Sequence, residues 1–432
     1  MAKDSELYAV VGHENPSIVG ECARSGGSHL VGDVCDARLI ADFARSREID
    51  IAMVSCDEPL REGVVDALLA QGTRAVGPTS AGAEIEWNKV FARELLAEVA
   101  PEAVPLMRVV RSAGELDEAM AFFGDTPLAV KPSGLTGGKG VKVMGPHLAD
   151  HEAARGYARE LLQAGGAGRE VLIEERIDGA EFTIQAISDG RTVVFPPSTY
   201  DYPYRFDGDT GPGTGGMGSL SLAQPTLPFM TGDHYERACA IVAAVIARLH
   251  ELGRHFSGVM NSGFFATAEG VKVIEFNARF GDPECLNVMR LFDGSWTDAM
   301  LAIDARRLAD ADVPLRAQAS LVLYLVSPDY ALRKGPACEF ALDRHALEAQ
   351  GCEVHFSSAV ELAAGRYRTV GTSRAVALTA IAPTLEQARR TVAAGAEQIP
   401  VLEWRRDVGS GAYLDALAAA PAPASLGEGV AS

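Results

Sequence analysis

The chain has 432 residues, 47% of them hydrophobic, enough apolar material for about three cores at the usual ~150 residues per domain. Its 39 basic and 58 acidic residues leave a formal net charge of -19, which excludes general binding to nucleic acid or anionic membranes; any bound phosphate must be met by local lysines, glycines and metal. Seven cysteines, at 22, 35, 56, 239, 285, 338 and 352, are odd in number and lack Cys-x-x-Cys spacing, which argues against disulfides or a zinc site and for a reducing cytoplasm.

The chain opens on polar Ala2-Lys3-Asp4-Ser5-Glu6 rather than a basic and then apolar leader, and no later run approaches the ~18 apolar residues that span a bilayer. Neither a targeting signal nor a membrane anchor is expected. Residues 7–11 read as a strand, 17–25 as a helix, 50–55 as a second strand and 61–71 as a second helix stopped by Gly72. That alternation predicts an open parallel sheet, bounded by the turn cluster Gly77-Pro78-Thr79-Ser80. A helix over about 81–98 follows, then strands at 128–131, 141–144 and 171–174. Glycines and prolines thicken between Pro196 and Gly218, which predicts a long ordered loop. A helix over about 235–252 leads into strands at 263–267 and 271–276. Roughly the last hundred residues read as another mixed α/β unit, with strands at 319–326 and 375–381 and a helix at 385–394. The Ala/Pro/Gly/Ser-rich end has the composition of a disordered tail.

The densest chemistry lies in Glu275-Phe276-Asn277-Ala278-Arg279-Phe280-Gly281-Asp282-Pro283-Glu284. The alternating run Val271-Lys272-Val273-Ile274 reads as a strand that delivers Glu275 and Asn277 to one face. A carboxylate beside a carboxamide offers hard oxygen ligands, suited to Mg²⁺ or Mn²⁺ shared with nucleotide phosphates. Arg279, two residues on, is a rigid positive fork for a phosphate in transit. A strand end with a surface ion pair is the plainer reading, but the attached Gly-Asp-Pro-Glu argues against it. Lys131-Pro132-Ser133-Gly134-Leu135-Thr136-Gly137-Gly138-Lys139-Gly140-Val141 places two lysines around a glycine-rich loop that backbone N–H groups could turn toward a polyphosphate. No Ser/Thr follows Lys139 and a strand rather than a helix comes next, so this is not the Walker pattern. Taken alone the loop is a hairpin turn, and Lys89 a solvated lysine. The run Ile173-Glu174-Glu175-Arg176-Ile177, with Glu181 beyond, ends a strand in acids able to read an amino group and ribose hydroxyls, or to sit at a charged strand edge.

Together with Gly63-Val64-Val65-Asp66-Ala67-Leu68, Gly77-Pro78-Thr79, Asp209-Thr210-Gly211-Pro212-Gly213-Thr214-Gly215-Gly216-Met217-Gly218 and Arg405-Arg406-Asp407-Val408-Gly409, these segments resemble the ATP-grasp superfamily. Within it they resemble the glycinamide ribonucleotide synthetase (phosphoribosylamine–glycine ligase) family, over roughly residues 50–410. The Thr-Gly-Gly-Met-Gly and Arg-Phe-Gly-Asp-Pro-Glu motifs are the most specific. The resemblance implies an α/β ATP-grasp fold: an N-terminal pre-ATP-grasp domain over 1–78, an ATP-grasp domain over 79–318 with a lid at about 122–190, a C-terminal mixed α/β domain over 319–415 and a disordered tail over 416–432. It implies an ATP- and Mg²⁺-dependent ligase that phosphorylates a carboxylate and lets an amine attack the acyl phosphate. Lys89 and Lys131 would meet the ATP phosphates, under a lid of Gly137, Gly138, Lys139 and Gly140. Glu174, Glu175 and Ile177 would lie beside the adenine and Glu181 on the ribose, while Glu275 and Asn277 would hold the metal. Arg279, Lys139, Asp282 and Glu284 would be catalytic, and Asp201, Asp209, Thr210, Gly215, Gly216, Met217, Gly218, Arg405 and Arg406 would line the substrate side. His13, beside a glycine turn, is either a substrate ligand or a capping residue.

The departures fall on the amine side. The family's Gly-Gly-Arg-Glu-His loop reads Gly12-His13-Glu14-Asn15-Pro16 here, its Gly-Pro-Glu-Ala-Pro-Leu reads Ser55-Cys56-Asp57-Glu58-Pro59-Leu60, its Asp-His-Lys-Arg reads Asp201-Tyr202-Pro203-Tyr204, and its Gly-Tyr-Pro is replaced by 325–330. Each lost cation forfeits a charge-assisted hydrogen bond worth roughly 1.5 to 3 kcal/mol to a phosphate. The expectation is therefore a paralogue joining an amino acid to another amine in a specialised nucleoside or peptide-like pathway. The alternative is a phosphoribosylamine–glycine ligase of purine biosynthesis with Arg205, Arg405 and Arg406 holding the ribose phosphate. A non-catalytic nucleotide binder is opposed by the intact Lys131, Lys139, Glu275, Asn277 and Arg279. Small-molecule carboxylate and amine partners are expected, no nucleic acid or membrane, and either a monomer or a homodimer.

Overall fold

The computed structural model describes residues 5–134 and 140–419. The expected lid residues Gly137, Gly138 and Lys139, and the tail beyond 419, lie outside them. In the N-terminal part β1 (Ala9–Val11) pairs in parallel with β2 (His29–Val31), and β3 (Ile51–Met53) in parallel with β4 (Arg74–Val76). Helices Pro16–Ser25 and Val64–Ala70 make the crossovers that parallel pairing requires. The expected parallel sheet is thus two short ladders. The helix expected over 61–71 is two, Asp57–Arg61 and Val64–Ala70, parted at Gly63 with φ 78. The helix expected over 81–98 is likewise broken into Ser80–Trp87 and Lys89–Val99. Asn88 leaves helical geometry there, and its side chain caps the second helix at the N–H of Phe91.

A small antiparallel sheet follows, ordered β5 (Met107–Val110), β8 (Val171–Glu175), β6 (Leu128–Pro132), β7 (Lys142–Val143). Helices Ala113–Phe123 and His151–Ala164 close a separate core on it around Leu116, Leu128, Val130, Ala158 and Ile173.

The rest is organised by one large sheet. Its strands are β9 (Ala180–Ser188) with β10 (Val193–Val194), then β11 (Thr199–Asp201), with the hairpin β12 (Tyr204–Phe206) and β13 (Thr210–Gly213) beside the sheet, then β14 (Gly218–Ser221), β15 (Gly258–Thr267), β16 (Gly270–Asn277) and β17 (Ala319–Val326). The segment expected to be a loop between 196 and 218 therefore holds three short strands and leads directly into a fourth. After β17 come β18 (Glu339–Ala341), β19 (Glu353–Phe356), β20 (Ala359–Ala363), β21 (Arg366–Thr369) and β22 (Arg374–Ala382). The sheet order is β16-β15-β9-β11-β14-β17-β22-β19, antiparallel throughout, so strands of the last hundred residues extend the sheet that begins with β9.

The two faces of this sheet differ. Phe182, Ile184, Phe264, Phe276 and Leu220 point to one side and are buried against the helix Gly232–Glu251. The alternate residues Thr183, Gln185, Asn261, Asp201 and Ser219 point to the other, which the helix Glu284–Leu291 partly covers. Truncating a fully buried Phe264 to Ala would cost about 3–5 kcal/mol. The first face stabilises the sheet; the second is polar.

Candidate active site

The phosphate end is built where the small sheet meets the edge of the large one. Lys131 on β6 lies 2.7 Å from Oε2 of Glu174 on β8. Arg93 donates from Nε to Glu174 Oε1 at 2.6 Å, and from Nη2 to Oε2 at 3.1 Å and to the Ile274 carbonyl at 2.9 Å. Burial alone would raise Glu174, yet Arg93 and then Lys131 hold its carboxyl down at about 2. Both oxygens of Glu174 are committed to cations, one of them holding Lys131. Lys89, opening its helix, reaches the Gly134 carbonyl at 3.3 Å. Burial lowers its ammonium, against the pull of Glu275 and together with repulsion from Lys131. Lys89, Lys131, Glu86 and Glu275 line one small cleft.

Glu275 and Asn277 share one face by the simple period, but which face that is depends on a device the period does not contain. The register runs Phe264 with Val273 but Gly263 with Glu275, so Ile274 is an extra residue, a β-bulge. Without it Glu275 would share the core face of Val273. Asn277 Nδ2 donates to Glu275 Oε1 at 3.4 Å and to the Asn261 carbonyl at 3.3 Å, while Arg279 Nη2 touches Asn277 Oδ1 at 3.3 Å. One carboxylate and one amide oxygen suit a metal completed by phosphates and water. Among the described residues there is no group of three acids, histidines or cysteines that could hold a metal by itself. Arg279 also pairs with Glu86 at 3.2 Å. Glu86, which the sequence reading missed, is buried and accepts from the Ala278 N–H at 2.8 Å. Burial pushes its carboxyl up to about 7 against the pull of Arg279. Its signal was an acid set between apolar Ile85 and Trp87.

At the expected nucleoside end, Glu175 accepts from the Leu106 N–H at 2.8 Å, which ties its side chain to the neighbouring chain. Ile177 is half-buried just past β8. Glu181 is exposed at the start of β9, its carboxyl raised by the surrounding protein and then by the Glu275 charge.

On the substrate side, Gly216 is required. Its φ is 98, and a Cβ would stand 2.5 Å from both Asp201 Oδ1 and Pro283 Cδ. Burial and then the Glu284 charge raise Asp201, and burial raises Glu284, which receives the Thr183 hydroxyl at 3.4 Å. Asp282 accepts from the Tyr324 hydroxyl at 2.7 Å and from Arg374 Nη2 at 2.8 Å. Gln185, Asn261 Oδ1, Asp201 Oδ1, Thr199 Oγ1 and Ser219 Oγ are buried without hydrogen-bond partners among the described residues, all on the polar face that the helix Glu284–Leu291 partly covers. Gln185 and Asn261 went unrecognised in the sequence, although Thr183 and Gln185 alternate with apolar Phe182, Ile184 and Ala186.

Other expected substrate residues are spent elsewhere. Arg405 is buried, donating to both oxygens of Asp407 at 2.8 and 2.6 Å, to Asp209 Oδ1 at 2.9 Å and to the Tyr204 carbonyl at 3.1 Å. Tyr413 donates to the other oxygen of Asp209. One guanidinium is thus shared between two carboxylates, Asp407 and Asp209. Arg406 lies over the Trp404 ring at 3.8 Å, and Arg205 is buried against Glu403 at 2.6 Å. Arg405 and Arg205 are buried on protein acceptors, while Arg406 is exposed beside Trp404. Thr210 closes its own turn on the Asp207 carbonyl, Met217 is buried, and a Cβ on Gly218 would strike the Val322 carbonyl at 2.6 Å. Gly140 accepts the Tyr157 hydroxyl at 2.8 Å. His13 reaches the Ser357 carbonyl at 3.2 Å beside Asn15, which caps the first helix and donates to the Phe356 and Ser357 carbonyls. It docks the N-terminal part on the last hundred residues.

A lysine on a small sheet and another opening a helix, both facing an acid–amide pair at the edge of a large antiparallel sheet, define an ATP-grasp enzyme, an ATP-dependent carboxylate–amine ligase. Residues 3–86 match the phosphoribosylglycinamide synthetase N domain, and 87–285 its ATP-grasp (A) domain. The chain is 38% identical over 411 residues to the phosphoribosylamine–glycine ligase of Thermococcus kodakarensis, covering 95% of this chain and 92% of that one. It is 36% identical over 396 residues to the Methanocaldococcus jannaschii ligase of the same name, covering 90% and 87%. The chain belongs to the phosphoribosylamine–glycine ligase family. The crystal structure of the Thermotoga maritima ligase shares its fold, with a TM-score of 0.73 at 22% identity over 93% of this chain and 99% of that one. Among the described residues no helix is long and apolar enough to cross a membrane.

Proposed function

We propose that the enzyme joins glycine to phosphoribosylamine with ATP and Mg²⁺, releasing ADP and phosphate, in the cytoplasm. The observation that carries this reading is that relatives named for that reaction align through both the ATP side and the C-terminal unit, over 95% of the chain in the first case. This favours the purine-biosynthetic reading over a paralogue acting on a different amine. One departure that argued for the paralogue loses its force: Tyr202 is fully buried, and its hydroxyl accepts from the Gly409 N–H at 2.9 Å, so that change serves the core.

The chemistry is positioning and charge neutralisation. Lys89 and Lys131 would offset phosphate charge, with Lys131 held in place by Glu174. A carboxylate oxygen of glycine takes the γ-phosphoryl group, and Arg279 stabilises the charge on it. The amine nitrogen then bonds to the acyl carbon, the carbon–oxygen bond to phosphate breaks, and the nitrogen loses a proton. Glu275 and Asn277 would hold Mg²⁺, which when bound supplies further positive charge to the phosphates.

Purified enzyme with ATP, Mg²⁺, glycine and freshly generated phosphoribosylamine should release ADP, phosphate and the amide in equal amounts. No turnover there, with turnover on another amine, would overturn the reading in favour of the paralogue.

A further inference from the structure

Arg374 opens β22, where the pairing with β17 steps from Leu325 with Val376 to Val326 with Arg374, leaving Ala375 as an extra residue. That bulge turns Arg374 onto the face that carries Tyr324, and its guanidinium lies 4.4 Å from the centroid of that ring. From there it spans two loops that are distant in sequence. Nη1 donates to the Gly215 carbonyl, to the Gly216 carbonyl at 3.4 Å and to the Asp282 carbonyl at 3.2 Å, and Nη2 donates to Asp282 Oδ2 at 2.8 Å. The Tyr324 hydroxyl takes the other Asp282 oxygen, and the Tyr330 hydroxyl accepts from the Gly215 N–H at 3.2 Å. The same two loops already touch where Gly216 meets Pro283. A planar, always-charged fork can satisfy four acceptors at once; a lysine ammonium on a flexible stem cannot hold that geometry. With 14% of its side chain exposed, Arg374 is spent on protein acceptors.

We propose that Arg374 is a positioning residue that fastens the 214–217 loop to the 281–283 loop in the arrangement that receives the amino acid and the amine. The inference rests on reading those loops as the substrate side. None of the hydrogen bonds it makes reaches the lysines or acids of the phosphate end, so its loss should misplace substrates while nucleotide binding persists. A loop displaced by ~1 Å costs about 100-fold in rate.

The test compares wild type with Arg374→Lys and Arg374→Ala, each checked for folding by circular dichroism and thermal unfolding. Wild-type turnover on ATP, Mg²⁺, glycine and phosphoribosylamine is established first; its absence would count against the proposed reaction, not against Arg374. Both variants should show a raised KM for glycine and the amine and kcat/KM down about 100-fold. The Kd for ADP should not change, and free guanidinium chloride should partly restore Arg374→Ala. A folded Arg374→Ala with wild-type kcat/KM, or one whose ADP affinity falls in parallel, overturns the proposal. If the alanine variant does not fold, Arg374→Lys decides, and wild-type kinetics in it would equally overturn the proposal.

Discussion

Glu174→Gln is the most exacting probe of the phosphate end. The change keeps size and polarity but leaves Arg93 and Lys131 without their counter-charge in a site where the glutamate side chain is 1% exposed. Removing one partner of a buried ion pair costs about 3–5 kcal/mol. Titration gives a second route to the magnitude. The fall from the ordinary 4.5 to about 2 corresponds to about 3 kcal/mol at 1.36 kcal/mol per pH unit. Because the folded-state value is depressed, this stability is fully present above the unfolded value of 4.5 and is lost as pH falls toward 2. Urea unfolding of both proteins should therefore differ by about 3 kcal/mol at neutral pH, with the gap narrowing by about half near pH ~3. The variant should also show a raised KM for ATP, since Lys131 loses the group that aims it. A gap that is absent at neutral pH, or that does not change with pH, would refute the reasoning.

Arg279→Ala should lower kcat by about 10²–10³ with nucleotide Kd unchanged, measured by steady-state kinetics and ADP titration; a parallel loss of ADP affinity would show Arg279 to be a ground-state ligand. Glu86 gives the opposite pH sign to Glu174. With its folded value raised to about 7, the native state binds the extra proton, so wild-type stability should fall as pH rises from 4.5 to 7. Glu86→Gln should make that fall shallower, the other raised carboxyls still contributing; an unchanged slope in urea midpoints across this range would count against it. Arg405→Gln strands the carboxylates of Asp209 and Asp407 and should cost about 3–5 kcal/mol in urea unfolding, with KM for ATP unchanged. A neutral Arg405→Gln would show that the arginine is not held as described.

What could be read in the sequence was set by how local the cause was. The strand ahead of Glu275 and the helix Gly232–Glu251 carry their period within one segment, so both were visible. The strands between 196 and 218 were not, because Gly211, Pro212 and Gly213 look like turn residues and the pairing of Thr199 with Thr183 is a long-range fact. Glu174 was visible as an acid at a strand end, but its partner Arg93 comes from a helix remote in the chain, so its role as an anchor for Lys131 was not. The partners of Arg405 and Arg406 were hidden for the same reason: nothing near the doubled arginine announces Asp209, which lies far back in the chain and receives Arg405.

The two β-bulges show why even a correct strand assignment leaves the site undetermined. Side chains alternate with period two, so one inserted residue reverses the face of everything beyond it. Ile274 does this at one edge of the large sheet, bringing Glu275 and Asn277 out of the core; Ala375 does it across the sheet, bringing Arg374 over Tyr324. Nothing in Val-Ile-Glu or Arg-Ala-Val marks the extra residue, because β-branched and small residues suit either face. Between these two bulges the polar face of the sheet runs from the acid–amide pair through Asn261, Gln185, Thr183 and Asp201 to the loops that Arg374 fastens. On the proposed reading, the carboxylate-activating end and the acceptor end lie on one face of one sheet. Their separation is set by strand spacing and not by a mobile linker, as a reaction that hands a labile acyl phosphate from one step to the next requires.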